Sequence, residues 1–571
     1  MKRLTEKEQY ELWLKQSAGQ DDLICELKSM DRESITYAFS QELKFGTGGL
    51  RGIIGVGMNR MNIYTVARAS QGLANYIIKN FPDKEHFVAI AYDSRRKSDQ
   101  FARVSAEVFA ANNIKVYIYK EPMPTPCLSF AVRQLCCSAG IVITASHNSA
   151  KYNGYKVYGP DGCQITSEAA NNIENEIGRL DIFNDIKRSL FATEIENGKI
   201  QYISQGIFDN YISAVKKQSM LKNDIIDKSI SIIYTPLNGT GAKPVLRALK
   251  ESGYTNIRVV EEQEKPSSDF LTCPYPNPEN AEAMHLGIEY CKRDKADLLL
   301  ATDPDCDRIG IAVRDSKGEY YLLTANETGV LLLDFICSQR IKHGTMPKNP
   351  VFMKTIVTSD LAEKIACNYG VRTINTLTGF KFIGEQIGVL EKEGREEDFI
   401  FGFEESCGYL SGTYVRDKDG VNAALLICEM FAFYKNQGKD LLIKLEEIQK
   451  IYGYHLQKQY SFVFEDRKNL IKTEEIMGKL RNEIDFIAGM EIIHKTDYMS
   501  EFLGLPKADV VKFVLGCGIT IIVRPSGTEP KLKVYLSMFA DDKEGAEAIE
   551  QQILEGIKYY IAKGKEWDAE N

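Results

Sequence analysis

Residues 297–308 read DLLLATDPDCDR, an apolar run of strand type that ends abruptly in a polar loop. The same arrangement recurs where GIVIT (140–144) precedes ASHN, where FIFG (399–402) precedes FEES, and where ITIIV (519–523) precedes RPSGTEPK. Between these runs, strand-type and helix-type segments alternate, which is typical of an α/β chain with largely parallel sheets. Ligands gather at the carboxyl ends of strands in such sheets, so four such ends predict four walls of one cleft.

The two ends of the chain differ from this pattern. The first 40 residues are polar and amphipathic, which predicts helices, whereas VVKFVL (510–515), ITIIVRP and KLKVYLSMF predict an antiparallel meander followed by a helix from about Asp542. We therefore expect a helical extension, three α/β domains and a smaller C-terminal α+β domain. The expected boundaries are 1–40 for the extension, 41–205, 206–322 and 323–455 for the α/β domains, and 456–571 for the last domain.

Composition excludes several classes of protein. The 571 residues are 44% apolar and 26% charged, which suits buried cores rather than a disordered chain. The balance of 71 basic and 79 acidic residues gives 71 − 79 = −8, which offers no overall attraction to nucleic acid or to an anionic membrane. Any phosphate must therefore be held by a local site, and we expect small molecules rather than nucleic acid or membrane as partners.

Cysteine usage and hydropathy predict a cytoplasmic protein. The 13 cysteines are odd in number and scattered without a C-x-x-C pair, which disfavours disulfides and structural zinc. The amino terminus lacks the apolar stretch of a signal peptide. The most apolar run, GVLLLDFIC (329–337), is too short to span a membrane and carries Asp334. We expect a soluble protein with reduced thiols.

The TASHN loop offers a candidate nucleophile, Ser146, with His147 beside it and Lys151 and Lys156 shortly after. A serine hydroxyl needs a base or an electrophile to react, and a loop at a strand end can present it beside basic groups. Two other interpretations remain open, a loop that caps a helix and a Ser-His-Asp hydrolase, although the chain has no G-x-S-x-G elbow here.

Asp303, Asp305 and Asp307 form a carboxylate cluster that needs a cation or an arginine to neutralise it. An EF-hand is excluded because Arg308 and Arg314 occupy the positions of its glycine and its glutamate. A compact set of oxygen ligands with room for a phosphate oxygen suits Mg²⁺. The alternative is a solvated acidic turn.

Three further loops carry groups that bind anions or hydroxyls. RPSGTEPK (524–531) combines arginine, hydroxyls, glycine and lysine, without the spacing of a Walker A loop, and a plain hairpin turn is its alternative. GTGGLRG (46–52) has Arg51 where a dinucleotide fingerprint needs glycine, so it either presents Arg51 to an anion or simply leads into a strand. GFEES (402–406) supplies Glu404 and Ser406 for vicinal hydroxyls, or caps a helix. The remaining histidines show no ligand spacing and are interpreted as structural or surface residues.

Together and in this order, GTGGLRG, TASHN, DPDCDR, GFEES and RPSGTEPK resemble the α-D-phosphohexomutase family. The similarity runs from about residue 40 to the end of the chain. The N-terminal extension, NRMNIYTVARAS and KYNGYKVYGPDG are most similar to the long-form branch, which contains bacterial α-phosphoglucomutases and phosphoglucomutase-2/phosphopentomutase proteins. Two departures from the family pattern, Ser149 and Cys306, remove no ligand.

The resemblance implies three similar α/β domains with mixed sheets plus a smaller C-terminal α+β domain around a central cleft. It implies a phosphoserine at Ser146 that binds Mg²⁺ together with Asp303, Asp305 and Asp307. The other implied groups are Arg51, His147, Lys156 and Arg308 around the transferred phosphoryl group, Glu404, Ser406, Thr378 and Gly379 against the sugar, Lys418 against phosphate, and Arg524, Ser526, Gly527 and Thr528 as a distal phosphate clamp.

The activity implied is interconversion of glucose 1-phosphate and glucose 6-phosphate, with glucose 1,6-bisphosphate as intermediate and activator. Either Lys156 or His147 would carry the proton. Alternatives within the same chemistry are a phosphopentomutase, a phosphomannomutase or a sugar-bisphosphate synthase, and a remote alternative is a non-catalytic sugar-phosphate sensor.

Overall fold

The computed structural model describes residues 4–46, 48–82, 84–222, 224–464, 469–500, 504–525 and 531–562. Its strands form four sheets, and each sheet with its helices makes one lobe of the molecule. The lobes follow one another along the chain, so each of the four polar loops belongs to a different lobe.

Three helices precede the first sheet, as predicted: α1 (Glu6–Gln16), α2 (Asp21–Ser29) and α3 (Arg32–Phe39). A capping box between Thr5 and Glu8 begins α1. Trp13 is fully buried and packs edge-on against Phe39, Tyr64 and Phe183. The extension is therefore part of the hydrophobic core of the first lobe.

The first lobe has a six-stranded sheet of order β1-β5-β4-β2-β3-β6. Its elements are β1 (Gly49–Ile53), α4 (Ile63–Asn80), β2 (Phe87–Tyr92), α5 (Ser98–Ala111), β3 (Lys115–Ile118), α6 (Thr125–Gln134), β4 (Ala139–Ile143), β5 (Tyr152–Tyr158), α7 (Ser167–Gly178), α8 (Phe191–Glu196) and β6 (Ile200–Tyr202). Pairing is parallel from β4 to β6 and antiparallel at β1 and β5, so the sheet is mixed.

The second lobe has a five-stranded mixed sheet of order β11-β10-β9-β7-β8. Its elements are α9 (Gln205–Lys216), β7 (Ile232–Thr235), α10 (Ala242–Glu251), β8 (Ile257–Val259), α11 (Glu261–Glu264), α12 (Ala281–Asp294), β9 (Leu298–Thr302), β10 (Ile309–Arg314) and β11 (Tyr320–Leu323). The fully buried strand β9 delivers the acidic loop at its carboxyl end.

The third lobe has a four-stranded mixed sheet of order β13-β12-β14-β15. Its elements are α13 (Ala325–Lys342), β12 (Val351–Thr355), α14 (Asp360–Asn368), β13 (Arg372–Thr376), α15 (Phe380–Lys392), a 3-10 turn (Glu396–Asp398), β14 (Phe399–Glu404), β15 (Gly408–Leu410), α16 (Gly420–Lys435) and α17 (Leu441–Tyr452). Here β14 ends at Glu404, the first polar residue of GFEES.

The fourth lobe is an antiparallel sheet of order β16-β21-β20-β19-β18-β17 with two helices. Its elements are β16 (Tyr454–Val463), α18 (Asn469–Asn482), β17 (Phe486–Ile487), β18 (Met490–Asp497), β19 (Val511–Leu515), a 3-10 turn (Gly516–Gly518), β20 (Thr520–Pro525), β21 (Lys531–Ala540) and α19 (Lys543–Ala562). The predicted meander and the helix that follows it are confirmed, and with them the α/β plus α+β fold class.

The hydrophobic contacts between the first three lobes are more extensive than those that join the fourth lobe to the third. One continuous cluster runs through the first three lobes, with Cys127, Tyr211 and Phe335 among its fully buried members. The fourth lobe has its own core and meets the third through a small cluster that includes Val357 and Ile522. The first three lobes therefore form one packed body, to which the fourth is attached by a much smaller apolar contact.

Within the part of the chain that the structure describes, no helix combines the length and the apolar character that crossing a membrane requires. The cysteines whose side chains are described are all free thiols.

Candidate active site

The serine loop joins β4 to β5 and turns sharply at Ser146, which has a φ of 52° and is 3% exposed. The backbone N–H of Ser146 donates to Thr144 Oγ1, and its hydroxyl donates to Asp303 Oδ2, both at 2.8 Å. His147 Nδ1 lies 3.4 Å from the same hydroxyl oxygen. The loop leads into strand β5, so the interpretation that it caps a helix is wrong. The hydroxyl donates to a carboxylate of another lobe, an arrangement unlike a Ser-His-Asp triad.

The acidic loop brings Asp303, Asp305 and Asp307 together behind strand β9. One carboxylate oxygen from each lies within 4.8 Å of the others, and all three side chains are buried. The loop folds back on itself because Asp303 Oδ1 accepts the backbone N–H groups of Asp307 at 3.1 Å and Arg308 at 3.0 Å. A solvated acidic turn is therefore the wrong interpretation of this sequence.

Two lysines and a threonine from other lobes face the acidic cluster. Lys156 Nζ lies 2.8 Å from Asp305 Oδ2 and 3.4 Å from Asp307 Oδ2, and Lys418 Nζ lies 3.1 Å from Asp307 Oδ2. Thr125 Oγ1 donates to Asp305 Oδ2 at 2.9 Å. The cluster is thus held by groups of the first and third lobes as well as its own.

Burial and mutual repulsion shape the charges of the cluster. Burial, then the Asp305 and Asp307 carboxylates, raise the pKa of Asp303 well above its usual range. Burial also opposes ionisation of Asp305, but the charge and the hydrogen bond of Lys156 outweigh it and lower the pKa of that carboxyl. Without a further cation the three carboxylates do not all ionise readily, which is the electrostatic signature expected of a divalent cation site.

The donor set fits a hard divalent cation. Carboxylate oxygens are the ligands that Mg²⁺ prefers, and the serine hydroxyl oxygen lies next to one of them. Asp305 Oδ1 and Asp307 Oδ1 are buried and accept no hydrogen bond from the described residues. Buried polar atoms are rarely unpartnered, so these two oxygens are positioned to coordinate a cation.

Arg308 of the second lobe and Glu404 of the third lobe extend the site beyond the acidic cluster. Arg308 Nη1 lies 3.3 Å from Glu279 Oε1, and Arg308 Nε lies 3.8 Å from Asp307 Oδ1. Ser406 Oγ donates to Glu404 Oε1 at 2.9 Å, and Lys418 Nζ lies 3.9 Å from the same oxygen. Since β15 follows this loop, the interpretation of GFEES as a capped helix start is wrong.

Arg51 contacts the serine loop from the neighbouring strand β1. It lies on β1, directly opposite Gly154 of β5, and its Nη1 donates to Asn148 Oδ1 at 3.0 Å. Its side chain is exposed, and its guanidinium interacts electrostatically with Asp305 and Asp307 of the acidic loop. Arg51, Ser146, His147 and Lys156 therefore share one face of the first lobe.

The remaining predicted residues lie farther from this cluster. Gly379 precedes α15 with a φ of 111°, which favours glycine, and Thr378 beside it is half-buried. Arg524 lies on β20, where its Nη2 is 3.3 Å from Tyr535 Oη. In the described ranges, no hydrogen bond or ion pair joins Thr378, Gly379 or Arg524 to the serine or acidic loops. The predicted residues Ser526, Gly527 and Thr528 lie outside the described residues.

Lys533 is a candidate that sequence reasoning missed. It stands directly opposite Arg524 in the antiparallel β20–β21 pair. Burial and then the charge of Arg524 lower the pKa of Lys533, while Glu405 and Glu279 of the facing lobes act in the other direction. Like charges directly opposite each other destabilise a sheet, which makes this pair suited to an anion.

Four other supporting residues were missed: Asp93, Arg95, Thr125 and Glu279. Asp93 and Arg95 follow strand β2, in the sequence FVAIAYDSRR (87–96). A charged pair directly after a buried strand is the same signal that identified the acidic loop, and it could have been used. Thr125 and Glu279 carry no comparable signal, because Thr125 meets Asp305 of another lobe and Glu279 meets Arg308 from 29 positions away in the chain.

The chain matches models of one family along most of its length. The matches are "Phosphoglucomutase/phosphomannomutase, alpha/beta/alpha domain I" at residues 42–182, domain II at 209–318, domain III at 324–451, and the C-terminal domain at 467–556.

Relatives of similar length support the same assignment. A phosphoglucomutase of Staphylococcus haemolyticus is 36% identical over 548 residues, which cover 93% of this chain and 96% of the relative. One from Staphylococcus aureus (strain MRSA252) is 34% identical over 546 residues, with the same coverage of 93% and 96%. The solved structure of pp63/parafusin from Paramecium has the same fold, with a TM-score of 0.69 at 20% identity over 92% of this chain and 96% of that one. The chain therefore belongs to the phosphoglucomutase/phosphomannomutase family, the long-form α-D-phosphohexomutases, which are phosphotransferases of the isomerase class.

Proposed function

We propose that this enzyme interconverts glucose 1-phosphate and glucose 6-phosphate through a phosphoserine at Ser146 and a glucose 1,6-bisphosphate intermediate. The observation that carries the proposal is the 2.8 Å hydrogen bond from the Ser146 hydroxyl to Asp303 of the buried acidic cluster. The phosphoglucomutases at 34–36% identity support glucose phosphates as the substrates.

Asp303, Asp305 and Asp307, together with a phosphate on Ser146, would hold Mg²⁺. Bound there, the ion supplies positive charge that neutralises the phosphoryl oxygens. Phosphoryl transfer depends mainly on positioning and charge neutralisation, and Arg51, Lys156 and Arg308 contribute further positive charge from the protein.

His147 is the proton carrier in this proposal. Its Nδ1 lies 3.4 Å from Ser146 Oγ, the oxygen that leaves phosphorus when a sugar hydroxyl attacks the seryl phosphate. The sugar oxygen bonds to phosphorus while its proton passes to His147, and the bond from phosphorus to Ser146 Oγ breaks. His147 then returns the proton to that oxygen. Lys156, paired with two carboxylates, stays charged and binds the phosphoryl group.

Substrate orientation falls to the third and fourth lobes. Glu404 and Ser406 would bind vicinal sugar hydroxyls, next to the sugar-facing loop at Thr378 and Gly379, and Lys418 would contact phosphate. Arg524 would grip the phosphate that is not transferred, assisted by Ser526, Gly527 and Thr528 of the same loop. After the first transfer the bisphosphate turns around, so these groups must accept either end of the sugar.

The decisive experiment compares wild type with Ser146→Ala. With Mg²⁺ and a trace of glucose 1,6-bisphosphate, wild type should convert glucose 1-phosphate, and the variant should be slower by at least hundreds-fold, on the order expected when a key catalytic group is removed. Ser138→Ala is the matched control because Ser138 precedes the same strand at its opposite end. Equal rates for the Ser146 variant and wild type would end the proposal. Faster turnover of mannose 1-phosphate or ribose 1-phosphate would replace glucose with that sugar.

We also infer that the enzyme acts in the cytoplasm. Its described cysteines are free thiols, and reduced thiols are the rule in that compartment.

A further inference from the structure

A single buried arginine, Arg95, hydrogen-bonds the backbone of the serine loop. Arg95 is 3% exposed and lies just beyond β2. Its Nη2 donates to the backbone carbonyls of Ser146, at 2.5 Å, and of Asn148, and its Nη1 donates to those of Ser149 at 2.9 Å and Tyr152 at 3.2 Å. The planar guanidinium thus gathers four carbonyl groups of one loop, which the single ammonium of a lysine could not reach in this geometry.

The same arginine is fixed by a buried carboxylate that also acts on the serine. Asp93 Oδ2 lies 3.3 Å from Arg95 Nε and accepts a hydrogen bond from Thr144 Oγ1 at 2.6 Å. Thr144 Oγ1 in turn accepts the backbone N–H of Ser146 at 2.8 Å. Both the N–H and the C=O of Ser146 are therefore held by one buried network.

This network holds a backbone conformation that the serine would not prefer. Ser146 has a φ of 52°, in the left-handed region that non-glycine residues seldom adopt. Such conformations persist where the surrounding structure over-determines them, and they concentrate at functional sites. Here the conformation aims the hydroxyl at Asp303 of the second lobe.

Arg95 also contacts the second lobe directly. Its guanidinium carbon lies 5.1 Å from the centre of the Phe270 ring, which is fully buried. Phe270 belongs to the same lobe as the acidic loop, so one side chain touches both halves of the site where serine and carboxylates meet. A guanidinium over a desolvated aromatic face is a favourable contact.

We propose that Arg95 is a positioning residue that fixes the serine loop against the acidic cluster, so that phosphoryl transfer, rather than sugar-phosphate binding, depends on it. This inference rests on the proposed role of Ser146 as the phosphoryl carrier. Arg95 hydrogen-bonds neither the serine hydroxyl nor the carboxylates of the acidic cluster; its hydrogen bonds go to the backbone that carries the serine.

Kinetics of Arg95→Ala, Arg95→Lys and Arg96→Ala test the proposal. Arg96 is the matched control, since it is the next residue and is exposed. Both Arg95 variants should lose about a hundredfold in kcat, the scale expected for a misplaced reacting group, with little change in KM. Guanidinium ions should restore part of the kcat of Arg95→Ala, whereas sodium chloride of equal ionic strength should not. Full kcat in Arg95→Lys, or a loss confined to KM, would overturn the proposal.

Hydrogen exchange supplies a second readout that does not depend on turnover. Backbone amides of residues 145–152 should exchange faster in Arg95→Lys than in wild type, while amides of the distant strand β19 should not change. Unchanged exchange in the loop would refute the positioning role even if kcat fell. A wild type without mutase activity would instead refute the proposed function, and the exchange result would still report on the loop.

Discussion

We expect the buried His455 to make the folded protein less stable in acid. It is the second residue of β16, at the junction of the third and fourth lobes, where its Nε2 is 3.0 Å from Ser537 Oγ. Ser537 Oγ donates to Asp360 Oδ2 at 2.7 Å, so the serine oxygen must accept its other hydrogen bond from the imidazole N–H. This hydrogen bond fixes one proton on Nε2, while burial and the nearby ammonium groups of Lys354 and Lys364 disfavour a second proton on the ring.

The magnitude follows from the pKa of this histidine. Burial, opposed by Asp360 and assisted by the two lysines, lowers the pKa of His455 from 6.5 to about 4. The unfolded chain therefore binds a proton at this residue between these two pH values, while the folded chain does not. Stability from this group is complete above the unfolded pKa and is lost as the pH falls. At about 1.36 kcal/mol for each unit of pKa, the loss by pH 4 is about 3 kcal/mol.

The measurement is the free energy of unfolding by urea between about pH 4 and pH 7, for wild type and His455→Gln. Glutamine keeps an N–H donor and cannot titrate, so the variant should lose less stability in acid than wild type, by about 3 kcal/mol. His494→Gln, on the exposed part of β18, is the matched control and should follow wild type. Parallel curves for wild type and His455→Gln would refute the reasoning.

Two further substitutions test the packing of the first lobe. Gly154→Ala would place a Cβ 2.5 Å from Thr144 O, so it should lower the free energy of unfolding by about 1–3 kcal/mol and lower kcat. The control is Gly178→Ala, whose added Cβ would have nothing within 4 Å and should change neither quantity. Activity assays and thermal melts distinguish the two variants. Trp13→Ala should lower the free energy of unfolding by about 3–5 kcal/mol, because the indole is fully buried, and Trp13→Phe should lower it less. Equal melting temperatures for Trp13→Ala and wild type would show that the extension adds no stability.

Much of the fold could be predicted because strand ends and turns leave local signals. The runs before Ser146, Asp303 and Glu404 were predicted as strands ending in the cleft, and β4, β9 and β14 are such strands. The antiparallel edges of the α/β sheets left no equally local signal. The strand β5, for instance, reads as a polar loop sequence because it carries Lys156 into the site. Mixed sheets were implied by the family resemblance and not by the pattern of residues.

The partners of the predicted residues could not be predicted in the same way. Lys156 meets Asp305 across 149 positions, and Thr125 meets it across 180. Such pairs depend on how whole lobes dock, and no periodicity or spacing within one lobe encodes that. Arg95 is a different case, since its position after β2 was visible and only its target, a set of backbone carbonyls, was not.

Main-chain hydrogen bonds join the second and third lobes next to the site. Cys306 and Cys407 have φ values of 52° and 57°, and like Ser146 each turns one of the three loops of the site. The carbonyl of Cys306 accepts from Gly420 N at 3.1 Å, and that of Cys407 accepts from Ile309 N at 3.0 Å, so these two turns bind the second and third lobes reciprocally.

Each left-handed residue costs about 1–3 kcal/mol, and a lobe on its own lacks the hydrogen bonds across the lobe boundary that offset this cost. Docked together, the lobes offset that cost with backbone hydrogen bonds and a shared core. The carboxylates, the serine and the lysines add contacts between lobes but are not the sole groups that hold the lobes together. Their polar atoms can stay directed at one another and at the cleft, which is the condition for a site assembled from separate lobes to transfer a charged group.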